Sequence, residues 1–188
     1  LRIGRLIAAS PQIKFPWRAA RQTWRDLHSL IANRAMFRVA MGIALFWTLG
    51  SLVQMNIDQF GFEGGMDQTQ IVPLLVAMVF GVGLGSVLAG IWSGGKVELG
   101  ILPLGAGIIT ISALMLFTVR GELVTSDDHW TAMHVWACLW LFTLGLGAGL
   151  FDVPLTAYMQ HRSPHKTRGK ILAASNFITF CGMLGTAA

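Results

Sequence analysis

MFRVAMGIALFWTLGSLVQMNI, residues 36–57, carries one charge near its start, Arg38, and then runs to Ile57 without another. At about 1.5 Å of rise per residue, such a run forms a helix long enough to cross a hydrocarbon core about 30 Å thick. In lipid a backbone must satisfy its own polar groups, so a run of this kind reads as a membrane-spanning helix. Working outward, residues 71–92, 99–119 and 131–159 are apolar runs of similar length, and a fifth opens at Ile171 and reaches the end of the sequence. The expected fold is therefore an all-α membrane protein with four complete transmembrane helices and part of a fifth.

Composition agrees. Of 188 residues, 54% are hydrophobic and 12% charged, against about 25% charged in ordinary soluble domains. The net charge of +5 does not point to nucleic acid, because its Lys and Arg residues are confined to short segments between apolar runs. Cys138 and Cys181 both sit inside such runs, where a thiol behaves as a small hydrophobe, so neither a disulfide framework nor a metal site is expected. No cofactor is expected either.

The cations set the orientation. Arg2, Arg5, Lys14, Arg18, Arg21, Arg25, Arg34 and Arg38 lie before or just inside the first span. Lys96 lies in the third connection, and Arg162, Lys166, Arg168 and Lys170 lie in the last. The alternate connections hold only Arg120, together with Glu63, Asp67, Glu122, Asp127 and Asp128. Thirteen cations against one place the N-terminal segment and the Lys96 turn in the cytoplasm under the positive-inside rule. The sequence starts at Leu1 and stops at GMLGTAA, which reads as the interior of a longer polypeptide.

Residues 1–35 read as a cytoplasmic amphipathic linker and 36–188 as the transmembrane domain. Within the linker, helical spacing puts Trp17, Ala20, Trp24, Leu27 and Ile31 on one face and Arg18, Arg21 and Arg25 on another. Such a helix either packs on the cytoplasmic ends of the spans or lies in the headgroup interface. Inside the membrane, Gly81, Gly85 and Ala89 recur at intervals of four, as do Gly145 and Gly149. Small residues at that spacing allow close backbone approach between helices.

The stretch GSVLAGIWSGGKVELG, Gly85 to Gly100, joins the second and third spans by a very short glycine-rich turn. Lys96 is followed by Val97, so the spacing of a nucleotide-binding P-loop is absent. Gly85, Gly90, Gly94, Gly95, Lys96 and Glu98 occupy the place where the major facilitator superfamily carries its cytoplasmic loop motif, usually of the form G-x-x-x-D-R-x-G-R-R. This sequence departs from that form at Ser93 and Glu98. With GLFDVPLTAYMQHRSP and RGKILAASNF, the chain resembles the lysophospholipid transporter branch of that superfamily over residues 36–188. The resemblance implies a facilitator-type bundle, with these spans as helices seven to ten and part of eleven. It also implies a bacterial inner membrane, a lysolipid or other small-molecule substrate, and a fused acyltransferase and ligase in some members.

Several polar residues within the spans are candidates for the substrate cavity or its gates. An ionised side chain in hydrocarbon costs at least about 2.5–3.5 kcal/mol on insertion scales, so Asp152 is the first. It can contact a headgroup or coupling ion, snorkel to the interface, or latch to Lys96, Arg162 or Lys166. Pro154 frees a backbone carbonyl one turn earlier and is expected to kink the helix there. Gln54, Asn56 and Asp58 end the first span, either as helix-end decoration or as a headgroup site. Asn176 and Ser175, with Thr48 and Ser51, are further hydrogen-bonding candidates. His134 reads either as a packed hydrogen-bonder or as a proton relay. An acyltransferase of the fused type needs an H-x-x-x-x-D pair, and none of His28, His129, His134, His161 or His165 has an aspartate five positions later. Acyl transfer is therefore not expected of this segment.

Overall fold

Helix boundaries follow the apolar runs. The computed structural model describes residues 19–63, 66–119, 123, 130–165 and 167–186. Arg2, Arg5, Lys14, Trp17, Arg18, Arg120, Glu122, Asp127, Asp128, His129 and Lys166 lie outside the described residues. The elements are α1 (Ala19–Ala32), α2 (Arg34–Glu63), α3 (Gln68–Ser93), α4 (Leu102–Leu116), α5 (Ala132–Arg162) and α6 (Arg168–Thr186), with one 3-10 turn (Leu99–Ile101) leading into α4. Four helical segments are long and apolar enough to cross a membrane: α2, α3, the 3-10 turn with α4, and α5. No strand runs among the described residues. The described residues form an all-α bundle.

Local chemistry fixes the helix ends. Asp67 caps α3, its Oδ1 accepting from Gln68 N at 2.8 Å while Gln70 Oε1 accepts from Asp67 N at 2.9 Å, which satisfies amides that the first turn leaves open. Thr131 caps α5 by accepting from the amide of His134 at 3.3 Å. The turn after α3 needs left-handed backbone, and Gly94 and Gly95 supply it at φ 53° and 78°, where a side chain would be strained.

α5 is the centre of one group of helices, packed between α3 and α4. Its GLGAG run, residues 145–149, explains how. A Cβ on Gly145 would overlap the carbonyl oxygen of Met78, and one on Gly149 would meet Val82 O and Ser86 N, all on α3. Gly147, turned about 200° from Gly145 at 3.6 residues per turn, instead faces α4, where a Cβ would stand 2.9 Å from Gly105 O. Reciprocally, Gly81 and Gly85 of α3 abut the carbonyls of Phe142 and Leu146. Buried Ser112 of α4 and Thr143 of α5 share a hydrogen bond at 2.9 Å. The opposite edge of α3 exposes Val72, Val76, Val79, Phe80, Val87 and Ile91, an apolar stripe suited to lipid.

α2 and α6 form the second group. Gly182 of α6 lies against Thr48, and Ser51 and Thr186 share a hydrogen bond at 2.9 Å. Two separate cores tie α2 to the other helices. At its N-terminal end Met36, Ala40 and Ile43 pack with Leu30, Leu155, Met159 and Ala174; at the other end Ile57 packs with Met66, Ile71, Leu74, Leu123, Ala137 and Leu141. Between Ala44 and Ile57 no residue of α2 is buried.

In α1 the side turned to the bundle is that of Leu30, 1% exposed, with half-buried Leu27 beside the first core. Trp24 is 71% and Ile31 48% exposed. Only Asn33 separates α1 from α2, so packing on α2 and α6 selects the face, and periodicity alone does not.

Candidate functional site

The unburied middle of α2 is where polar groups gather. Trp47, Ser51, Gln54 and Asp58 recur at steps of four, three and four, which places them within about 60° on the helix. Two contacts flank this stripe. On one side Phe46 packs on Phe151 of α5 with ring centroids 5.6 Å apart; on the other, Thr48 and Ser51 meet α6. The stripe thus continues, toward the C-terminal end of α2, the side that buries Met36 and Ala40.

Asp152 comes to this stripe from α5. Trp47 is the α2 side chain that acts on its carboxyl group, and Asp152 Oδ1 is buried without a hydrogen-bond partner. Along α5, Thr156 and Gln160 follow at i+4 and i+8, so Asp152, Thr156 and Gln160 lie on one side of the helix. Thr156 and Gln160 line a cavity of about 190 Å³ together with Ile43 of α2 and Leu172, Ser175 and Asn176 of α6. Ser175 is buried and Asn176 exposed. Polar side chains thus extend along α5 from this cavity to Asp152 and along α2 from Trp47 to Gln54 and Asp58.

Other candidates sit elsewhere. Asn56 is exposed and donates to Leu52 O of its own helix at 2.8 Å, a local bond. Lys96 and Arg162 line a different cleft, where α3 and α5 end. Arg162 lies ten residues beyond Asp152, about 15 Å along α5, so the Asp152 carboxyl group and this cleft are separate in this conformation. Pro154 is fully buried inside a helix continuous from Ala132 to Arg162; the carbonyl it leaves without an intrahelical donor is that of Leu150. Thr156 Oγ1 donates to the carbonyls of Asp152 and Val153 at 3.0 Å, satisfying polar groups in the turn that holds Pro154. His134 is fully buried and stacked on Trp130 with centroids 5.0 Å apart, and neither ring nitrogen has a hydrogen-bond partner.

Trp47, Thr156 and Gln160 were not singled out from the sequence. The spacing of Thr156 and Gln160 from Asp152 was a usable signal; the pairing of Trp47 with Asp152 bridges two helices and had none. Among the described residues no group of three His, Cys, Asp or Glu side chains could hold a metal ion.

No curated protein and no solved structure matched this chain. A family model described as Major Facilitator Superfamily matches residues 5–187, nearly the whole chain, including α1 as well as the spans. With several membrane-crossing helices and a charged residue held at a polar crevice between them, this facilitator-type transporter chain belongs to the Major Facilitator Superfamily.

Proposed function

We propose that the chain forms most of the second half of a secondary transporter that moves an amphiphilic molecule, a lysophospholipid, by alternating access in a bacterial inner membrane. The observation that carries this reading is the narrow polar path, Asp152, Trp47, Thr156 and Gln160, set between helices whose remaining faces are apolar. An amphiphile needs few polar groups for its headgroup and an apolar wall for its chain, and this crevice supplies both. In the proposed cycle Asp152 and Trp47 meet the headgroup near the middle of the membrane, Gln54 and Asp58 receive it from the outer leaflet, and Asn176 and Ser175 line its exit. Rocking of this half against the other half of the transporter about that site would alternate access, as in transporters built from repeats. Reacylation of the cargo belongs to an acyltransferase outside this segment.

The test is uptake of fluorescent lysophosphatidylethanolamine into the inner leaflet of proteoliposomes containing the complete protein, with Asp152→Asn beside wild type. Protein-dependent uptake that falls in the variant supports the reading. Absence of protein-dependent uptake removes the lysolipid and leaves a facilitator-type transporter of another solute.

A further inference from the structure

A second cleft lies away from the crevice, at the cytoplasmic end of α3 and α5. Its volume is about 420 Å³, and it is lined by Gly95, Lys96, Val97, Leu99, Tyr158, His161 and Arg162. Two full cations, a histidine and a phenol hydroxyl converge on it, and no carboxylate lines it among the described residues. Glu98 lies next in sequence but is not part of its wall. The glycine turn makes the arrangement possible, since left-handed backbone at Gly94 and Gly95 reverses the chain within two residues and brings Lys96 back over the end of α5.

Apolar residues adjoin this cleft along the chain. Leu99 of its wall is exposed, and Ile91 and Trp92, in the last turn of α3 just before Gly94 and Gly95, are 67% and 53% exposed. Cations above exposed aliphatic and indole surface, at the cytoplasmic end of two spans, match the boundary between headgroups and acyl chains, where tryptophan concentrates. A free phosphate ion would use the cations and leave these apolar residues in water; a phospholipid uses both.

We propose that this cleft binds the phosphate of an anionic phospholipid of the cytoplasmic leaflet, with Lys96 and Arg162 on the phosphate and the acyl chains along Ile91, Trp92 and Leu99. Arg162 interacts as a bidentate donor and Lys96 as a point charge. The site is independent of the cargo and rests only on the orientation of the spans.

The complete protein is incorporated into nanodiscs of phosphatidylcholine with or without phosphatidylglycerol, released, and weighed intact by native mass spectrometry to count retained lipids. Phosphatidylglycerol is expected to be retained over phosphatidylcholine, with a loss of about fivefold for each cation removed in Lys96→Gln and Arg162→Gln. Lys96→Arg keeps the charge and is expected to retain the lipid. Both side chains are exposed, so the single variants are expected to fold, and each reads the effect without the double variant. Equal retention of the two lipids, or unchanged retention in both single variants, would overturn the proposal. Displacement of phosphatidylglycerol by inorganic phosphate would also overturn it, assigning the cleft to a free ion. Lysolipid uptake is scored separately, so loss of one result leaves the other standing.

Discussion

Replacing Gly85 by alanine tests whether the bundle depends on backbone contact between α3 and α5. The added Cβ would stand 2.9 Å from the carbonyl carbon of Leu146 and 3.0 Å from its Cα, and would overlap its carbonyl oxygen. These are backbone atoms of a helix, so no side-chain rotation relieves the clash. Carbon atoms pack at about 3.5–4.0 Å, and α3 must retreat from α5 by roughly 0.5–1 Å. A gap of that size forfeits about a quarter to a half of each dispersion contact; for about 30 atom pairs at about 0.15 kcal/mol, the loss is about 1–2 kcal/mol. In lipid no hydrophobic gain between helices offsets it. Gly83 is the control, because a Cβ there meets nothing within 4 Å, and Gly83→Ala should stay within about 0.5 kcal/mol of wild type. The assay is reversible unfolding of the complete protein in mixed micelles, comparing midpoints at constant slope. Equal stability of Gly85→Ala and Gly83→Ala would refute the reasoning, and so would a loss confined to Gly83→Ala.

Four further outcomes follow from the geometry. Ser112→Ala removes the bond to Thr143 that joins α4 to α5 and should cost about 0.6 kcal/mol, the typical value for a hydrogen bond between membrane helices, in the same unfolding assay. Gly182→Val should weaken the α2–α6 pair by about 1–3 kcal/mol through overpacking against Thr48, seen as lower thermal stability of the complete protein. Trp47→Phe removes the indole N–H that acts on Asp152 while keeping an aromatic ring; transport by the complete protein should fall by up to about tenfold, the loss expected if that N–H hydrogen-bonds the carboxylate during the cycle, with expression unchanged. For orientation, a membrane-impermeant thiol reagent should label Lys96→Cys from the cytoplasmic side and Glu63→Cys from the opposite side, in a background lacking Cys138 and Cys181.

The spans were legible in the sequence because the requirement is local. A helix in lipid needs an uncharged run of sufficient length, and α2, α3, the 3-10 turn with α4, and α5 each announce one. The close α3–α5 contact was likewise visible as Gly81, Gly85, Gly145 and Gly149 at helical spacing. The partner of Gly147 was not, because a glycine on the far side of the same run signals a second close approach without saying to which helix. Asp152 stood out as a charge in an apolar run. Its pairing with Trp47, 105 positions earlier in the chain, had no local mark.

By itself the sequence determined how many helices are long and apolar enough to cross, and that a carboxylate falls within one of them, since each follows from the cost of placing charge and open backbone in hydrocarbon. Only the tertiary structure decided which faces meet. It turned α1 by its Leu30 side, separated the Lys96 and Arg162 cleft from Asp152, and set Trp47, Thr156 and Gln160 along one crevice. The physical reason is that in a chain apolar on nearly every side, hydrophobicity does not distinguish the face that packs from the face that meets lipid; the shape of the neighbouring helix does.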